Sequence, residues 1–267
     1  MTRLAAPALA ALAFALLAAP ATGSASGKGD GASVEDLFDK ANEAFWAGEY
    51  EKAAQTYSQL EELGVRSPEL SFNLATAEAR LGNLGRAVLH YERVLRREPG
   101  HEDTVHNLTT IRDFIARRAS EAGRDADLAP AAGPWRAVLD RFSPKSAAVA
   151  FLVFHLALFT LLIARRFVNA EMARLTLGVL VGVLAVLTVS TGSVCTGKWD
   201  QERNLHEGIV LVGDTVDVME GPDSEVKRFA LEEGSRIIIV EETDGWVKIR
   251  DDQGRDGWTR DDQIGEI

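Results

Sequence analysis

The sequence predicts a multidomain membrane protein with an all-α helical stack, a two-helix transmembrane hairpin and a small all-β barrel. Three observations carry this prediction. Apolar and small residues repeat with a period of 34 residues over 34–118. Two apolar runs, 147–164 and 175–194, each have the length that crosses a bilayer. The last 61 residues, 207–267, alternate short apolar stretches with turn signals, which is typical of a small β domain.

Composition excludes several classes of function. The chain has 267 residues, a net charge of −11 and one cysteine. The charge argues against a nucleic-acid partner, and one cysteine cannot form an internal disulfide or a cysteine-cluster metal site. No phosphate-binding glycine loop, Gly-x-Ser-x-Gly or His-Glu-x-x-His motif occurs in the sequence. We therefore expect no catalytic residues, no metal and no cofactor, and a chain that is not an enzyme.

The first residues have the pattern of a secretory signal. Arg3 precedes an Ala/Leu-rich run, and small residues close that run near Ala21. We predict a signal peptide over 1–23 and a disordered Gly/Ser-rich segment over 24–33. An uncleaved anchor helix is the alternative interpretation, but the apolar run is short for a membrane span.

The next block repeats on itself. Six pairs of similar residues share one offset of 34 residues: Ala41/Ala75, Gly48/Gly82, Tyr50/Leu84, Ala53/Ala87, Tyr57/Tyr91 and Leu60/Val94. This offset is the tetratricopeptide period, in which small residues let two helices pack closely and a glycine permits the turn between them. We predict repeats at 34–67 and 68–101 and a capping helix that ends near residue 116. Two repeats are close to the lower limit of a stable stack, so a partner is expected to support them.

The first helix of each repeat is expected to line a concave, partner-binding face. The candidate residues on this face are Phe38, Asn42, Phe45, Phe72 and Asn73. Their rings provide apolar anchors, and their amides can pair with a peptide backbone. The alternative is that the phenylalanines pack between helices and that the asparagines are ordinary polar surface residues.

Asn42 and Asn73 match two asparagines of the tetratricopeptide domains that hold a peptide carboxylate. The basic partners of those domains are absent here, because other residues occupy their positions: Phe38, Asp103 and Asn107. A carboxylate clamp is therefore not expected.

A linker with a short interfacial helix is predicted over 119–146, followed by the two transmembrane helices. The loop between them, 165–174, carries three arginines and one glutamate, which favours a cytoplasmic position. The signal peptide independently directs the preceding domain outwards. We therefore expect both soluble domains to lie outside the cytoplasm, with the hairpin in the bacterial inner membrane. Gly178, Gly182 and Ala185 are expected to form its packing face.

The C-terminal module is predicted to be a five-stranded barrel. It has 17 acidic and 7 basic residues, so its charge of −10 is nearly that of the whole protein. Such a surface repels nucleic acid and anionic wall polymers. The module resembles the bacterial Src-homology-3-like domain at four stretches, which are V-D-V-M-E-G-P (216–222), L-E-E-G (231–234), G-W-V-K-I (245–249) and G-W (257–258). Met219 replaces the arginine that this family usually has there.

The order of these modules resembles the BatE proteins of the bacterial Bat (aerotolerance) operons. The repeat block contributes F-N-L-A at 72–75 and L-G-N-L-G-R-A-V-L-H-Y-E-R-V-L at 81–95 to the resemblance. The resemblance implies a non-catalytic role in an envelope complex, together with membrane proteins bearing von Willebrand A domains and a MoxR-type ATPase.

Two functions remain open from the sequence. In the first, the chain is a membrane-anchored scaffold or adaptor whose repeats bind a protein partner in the envelope. In the second, the barrel binds peptidoglycan and the repeats recruit a wall hydrolase or synthase. The acidic surface of the barrel favours the first.

Overall fold

Five helices form the region that follows the predicted signal. In the computed structural model, the described residues are 33–124, 128, 138–139, 141–204 and 206–267. The first four helices form two antiparallel pairs, and a longer fifth helix follows them. Their bounds are α1 Val34–Trp46, α2 Tyr50–Glu62, α3 Pro68–Leu81, α4 Leu84–Arg97 and α5 Glu102–Glu121. The predicted signal peptide and the segment 24–32 lie outside the described residues.

Local sequence signals set the ends of these helices. Ser67 caps α3 because its Oγ accepts a hydrogen bond from the Leu70 N–H at 3.1 Å, and Pro68 occupies the first turn. Gly48 and Gly82 adopt left-handed φ angles of 79° and 84° in the turns within the two pairs. The helix α5 runs to Glu121, past the end near residue 116 that the sequence predicted, so the linker begins later than residue 119.

The two helix pairs have the same internal contacts. Ala41 and Ala53 in the first pair, and Ala75 and Ala87 in the second, are completely buried. Small side chains at these positions allow the paired helices to approach closely. The fold is thus a helical region of paired helices, with its repeated unit at the predicted spacing.

We expect Ala87→Leu to destabilise the helical region. Ala87 is completely buried, so the larger side chain must push α3 and α4 apart, at a cost of about 1–3 kcal/mol in the free energy of unfolding. Urea titration of the full chain measures the loss. Gln59→Leu adds a leucine at an exposed helical position and is the matched control. Equal stability of the two variants would contradict the close packing at Ala87.

Two long apolar helices follow. They are α6 Pro144–Arg165 and α7 Glu171–Asn204, with mean hydropathies of 2.5 and 2.2 over their most apolar windows, and almost all of these windows is exposed. They pack against each other as an antiparallel pair. Their connection, 166–170, is shorter than the loop 165–174 predicted from the sequence, because both helices extend beyond the apolar runs. The linker and interfacial helix predicted over 119–146 lie largely outside the described residues.

The small residues that pack α7 against α6 differ from those expected. A Cβ on Gly192 would lie 3.2 Å from the Phe151 ring, so this glycine marks a close approach of the two helices. A Cβ on Gly182 would meet nothing within 4 Å. The prediction that Gly182 belongs to the packing face is wrong, because the contact follows the row through Ala185 and Gly192 instead.

The C-terminal sheet domain, 206–267, is antiparallel throughout and has seven strands among its described residues rather than the five expected. Their order is β3-β2-β6-β5-β4-β1-β7. The strands are β1 Glu207–Val210, β2 Thr215–Met219, β3 Lys227–Glu232, β4 Arg236–Thr243, β5 Trp246–Arg250, β6 Asp256–Arg260 and β7 Ile264–Glu266. The sheet has more strands than expected because the module's two ends pair: Ile209 lies opposite Gly265, and Gly208 opposite Glu266.

Glycines occupy the turns that the sequence marked. Gly234, Gly245 and Gly254 have φ angles of 78°, 81° and 77°, a conformation that other residues adopt at a cost. Seven buried apolar side chains form the core of this domain: Val210, Val216, Val218, Leu231, Ile237, Val247 and Ile249.

Candidate functional site

The face formed by α1, α3 and α5 carries a row of linked polar and aromatic side chains. In the first helix pair, the Tyr57 hydroxyl donates to Asn42 Oδ1 at 2.6 Å, and the Phe38 ring meets the Tyr57 ring edge-on at 5.9 Å. In the second pair, Phe72 meets Tyr91 in the same way at 5.7 Å. The tyrosine of each pair therefore fixes both an aromatic ring and a polar side chain on this face.

Amides extend this row from one helix to the next. Asn73 Nδ2 donates to Asn42 Oδ1 at 3.3 Å, which links α3 to α1. Asn107 Nδ2 donates to the Tyr91 hydroxyl at 3.0 Å, and Thr76 Oγ1 lies 3.0 Å from the same hydroxyl. The asparagines of successive helices thus have equivalent positions. We call this row, with its rings, the α1–α3–α5 face.

Burial keeps the two tyrosines protonated. It raises the pKa of Tyr57 to about 12, although a hydrogen bond from Asn73 acts in the opposite direction. It raises the pKa of Tyr91 as well, against the hydrogen bonds of Thr76 and Asn107. The Tyr57 hydroxyl therefore remains a donor to Asn42 at any physiological pH.

The structure brings together four of the five candidate residues on this face. Asn42 and Asn73 are in contact, and Phe38 and Phe72 flank them, each half-buried against a tyrosine. Packing between helices accounts for the buried part of each ring, and the rest of the ring is exposed. Phe45 packs instead edge-on against Tyr50 at 5.3 Å, where the chain turns from α1 into α2.

A second feature, which the sequence analysis did not predict, is the contact between the helical region and the sheet domain. The helix α4 packs against β1 and β7. Val88 and Leu89 of α4, Ile115 of α5 and Ile209 of β1 belong to one buried apolar cluster. A Cβ on Gly85 would lie 2.4 Å from the Val210 carbonyl oxygen, so a glycine is needed where the helix meets this strand.

Ion pairs surround this apolar contact, which we call the helix–sheet interface. Glu92 of α4 is buried and bonds two guanidinium groups, Arg112 of α5 and Arg236 of β4. The Glu233 carboxylate accepts from the Gly85 N–H at 2.8 Å and from Arg118 at 2.9 Å. Three further bonds tie α4 and the segment after α5 to the sheet domain: Arg124 to Glu232, Arg93 to the Glu266 carbonyl and Arg96 to the Ile267 carbonyl.

The charges at this interface shift the pKa of its central carboxylate. Burial raises the pKa of Glu92, but the guanidinium groups of Arg236 and Arg112 outweigh burial and hold it below its ordinary range. The Nε atoms of Arg112 and Arg118 are buried without a hydrogen-bond partner in the described part of the chain. The network is thus incomplete, so its loss and its replacement by apolar groups have different expected effects.

Two signals in the sequence indicate this interface in retrospect. One is Gly85, which interrupts a helix near its start at a place where the first repeat has Glu51. The other is the complementary charge of the two parts, because α4 and α5 are rich in arginine and the sheet domain is strongly acidic. The support expected for a stack of two repeats comes from the chain's own sheet domain.

Comparison with known proteins agrees with the C-terminal part of this description. Residues 214–264 match the bacterial SH3 domain family. The chain therefore has a bacterial SH3 domain at its C-terminal end, after a helical region of paired helices and two long apolar helices. No curated protein matches the chain.

Proposed function

We propose that this chain is a non-catalytic scaffold or adaptor of the bacterial inner membrane, which binds a protein partner through the α1–α3–α5 face. In this proposal the helix pairs are tetratricopeptide repeats, and α6 and α7 form a transmembrane hairpin. The bacterial SH3 domain supports the stack at the helix–sheet interface. The partner belongs to an envelope complex of the Bat type.

The observation that carries the proposal is the unused hydrogen-bonding capacity on the α1–α3–α5 face. Asn42 Oδ1 accepts from both Tyr57 and Asn73, so the Nδ2 group of Asn42 remains as a donor. Asn73 donates to Asn42, so its Oδ1 atom remains as an acceptor. A donor and an acceptor side by side match the C=O and N–H groups of an extended peptide. The exposed parts of Phe38 and Phe72 provide apolar contacts beside them.

The helix–sheet interface supports the proposed topology. The helical region precedes α6 and α7, the sheet domain follows them, and α4 nevertheless contacts β1 and β7. Two membrane crossings return the chain to its starting side, so a hairpin is compatible with this contact and a single crossing is not. A secretory signal and an arginine-rich loop then favour the outer side for both soluble parts.

We expect both soluble parts to be labelled from outside the cytoplasm. The test uses single cysteines at three exposed positions, Ser120, Ala170 and Glu225, with Cys195 replaced by alanine. A membrane-impermeant maleimide reagent, applied to cells with a permeable outer envelope, should label positions 120 and 225 but not position 170. Labelling of position 170 alone would reverse the orientation. Different labelling of positions 120 and 225 would contradict the hairpin.

The resemblance to the BatE proteins supports a choice of partner. It favours a membrane protein with a von Willebrand A domain as the direct partner, in a system that includes a MoxR-type ATPase. A protein partner on the same side of the membrane can reach the α1–α3–α5 face, because the contacts of α4 and α5 hold the sheet domain on the stack.

The binding face is tested by photo-crosslinking in membranes. A photoreactive amino acid at Arg80, on the α1–α3–α5 face, should crosslink to a membrane protein identified by mass spectrometry. The same group at Gln55, an exposed position on the second helix of the first pair, is the control. We expect Asn73→Ala to reduce the crosslink about tenfold and to leave the fold intact, because its one bond to Asn42 is long.

The structure makes Asn73→Ala more informative than the double change of Asn42 and Asn73. Asn42→Ala removes the acceptor of a buried tyrosine hydroxyl, which costs about 1–3 kcal/mol and confuses binding with stability. Equal crosslinking from positions 80 and 55, or an unchanged yield with Asn73→Ala, would place the binding site elsewhere.

A further inference from the structure

The α1–α3–α5 face carries an acidic residue at the same position of every helix. Glu35, Glu69 and Asp103 are spaced by 34 residues and lie in the first turns of α1, α3 and α5. All three side chains are exposed. Asp39 adds a fourth exposed carboxylate one turn further along α1. None of the four forms an ion pair with another residue in the described part of the chain.

Helix stability explains part of this pattern but not all of it. An acidic side chain in the first turn stabilises a helix through the macrodipole. Asp39 lies beyond the first turn of α1, where this effect has decayed. The basic side chains of the face lie elsewhere, with Arg80 in the last turn of α3. The edge of the face that holds the helix N-termini is therefore negative, next to Phe38 and Phe72.

The spacing of these carboxylates matches an extended peptide. Asn42 and Asn73 are hydrogen-bonded across α1 and α3, so these helices are neighbours. Axes of neighbouring packed helices lie about 8–10 Å apart. An extended chain advances about 3.3 Å per residue. Equivalent side chains on successive helices are thus about three residues of an extended peptide apart.

We infer that the occupant of this face is an extended, cationic segment of the protein partner, with lysine or arginine at about every third residue. This inference rests on the proposed function and specifies its ligand. Basic side chains pair with Glu35, Glu69 and Asp103 in turn. The peptide backbone pairs with Asn42 and Asn73, and residues between the basic ones pack on Phe38 and Phe72.

The test measures peptide binding by the full-length chain in nanodiscs of zwitterionic lipid, with empty nanodiscs as a blank. Three fluorescent peptides are compared by anisotropy: one with lysine at every third position, one with glutamine and one with glutamate there. The chain should bind the lysine peptide most tightly, and added salt should weaken this binding. The triple variant Glu35→Gln, Glu69→Gln, Asp103→Asn should bind it about tenfold more weakly.

The matched control removes the same charge elsewhere. Glu51→Gln, Glu62→Gln, Glu98→Gln changes three exposed acids away from the α1–α3–α5 face, and it should leave binding of the lysine peptide unchanged. An equal effect of both triple variants would overturn the inference, because it would indicate net charge alone. Equal binding of the lysine and glutamine peptides would also overturn it. If Asn73→Ala still weakened both peptides, the proposed function would stand. If none of the three peptides bound and position 80 gave no crosslink, both proposals would fail.

Discussion

The change Glu92→Ala should lower the free energy of unfolding by about 3–5 kcal/mol, which is a large part of the stability of a small domain. Glu92 is 6% exposed and neutralises Arg112 and Arg236 from two different parts of the fold. Its removal leaves two nearly buried guanidinium groups without their shared carboxylate. Urea unfolding, followed by the fluorescence of Trp246 and Trp258, measures the loss. Glu98→Ala, at an exposed position after α4, is the control.

Acid should have the same effect as this change. The folded pKa of Glu92 lies below its ordinary value of 4.5. Its contribution to stability is therefore complete above pH 4.5 and is lost as the pH falls through the lower, folded pKa. The variant Glu92→Gln should show a weaker dependence of stability on pH in this range. Equal pH dependence in the variant and in the parent chain would contradict the role assigned to Glu92.

A triple apolar variant separates the cost of breaking this network from its net value. Glu92→Met combined with Arg112→Leu and Arg236→Leu leaves no unpaired charge at this site. Because the parent network has buried polar atoms without partners, we expect the triple variant to be more stable than Glu92→Ala alone. A triple variant as unstable as Glu92→Ala would show that packing, not charge, limits the interface.

The change Gly85→Val should separate the sheet domain from the helical region. A Cβ at this position would lie 2.4 Å from the Val210 carbonyl oxygen and 2.8 Å from Leu211 Cα. Both are backbone atoms that cannot rotate away, so β1 must move, at a cost of about 1–3 kcal/mol or more. Hydrogen exchange is the measurement. The amides of Val210 and Leu211, which bond to Ser235 and Gln263, should exchange at least about tenfold faster.

Gly100→Val is the control for this change. A Cβ on Gly100 would meet nothing within 4 Å, and its φ angle is not left-handed. Exchange at the two amides of β1 should therefore stay unchanged in this variant. Equal exchange rates in the Gly85 and Gly100 variants would mean that α4 and β1 are not in close contact in solution.

The sequence predicted the elements of this fold where their signals are local. The 34-residue spacing indicated the buried alanines and the tyrosines, because each helix pair solves the same packing problem with the same residues. Turn glycines and apolar alternation indicated the sheet domain. The pairing of β1 with β7 was not predicted, since strands this short leave little pattern, and Gly208 and Gly265 weaken it further.

The helix–sheet interface escaped prediction because its two sides are more than a hundred residues apart in the chain. A buried glutamate such as Glu92 looks like an ordinary surface residue in a helix with arginines on either side. Only the fold shows that one of its partners, Arg236, comes from a strand. For the α1–α3–α5 face, sequence reasoning identified the residues, but the hydrogen bonds decide which atoms of Asn42 and Asn73 remain for a ligand.

The order of synthesis gives the helix–sheet interface a further consequence. Ribosomes add about 5–20 residues per second, so about 10–30 s pass between the completion of α5 at Glu121 and the arrival of Glu266 and Ile267. During this time Val88, Leu89 and Ile115 have no strand to cover them. The nascent helical region is then an adhesive intermediate, and both apolar helices must insert before it can be closed. Export chaperones that hold apolar surfaces are therefore expected to engage this chain longer than one whose N-terminal domain folds without help.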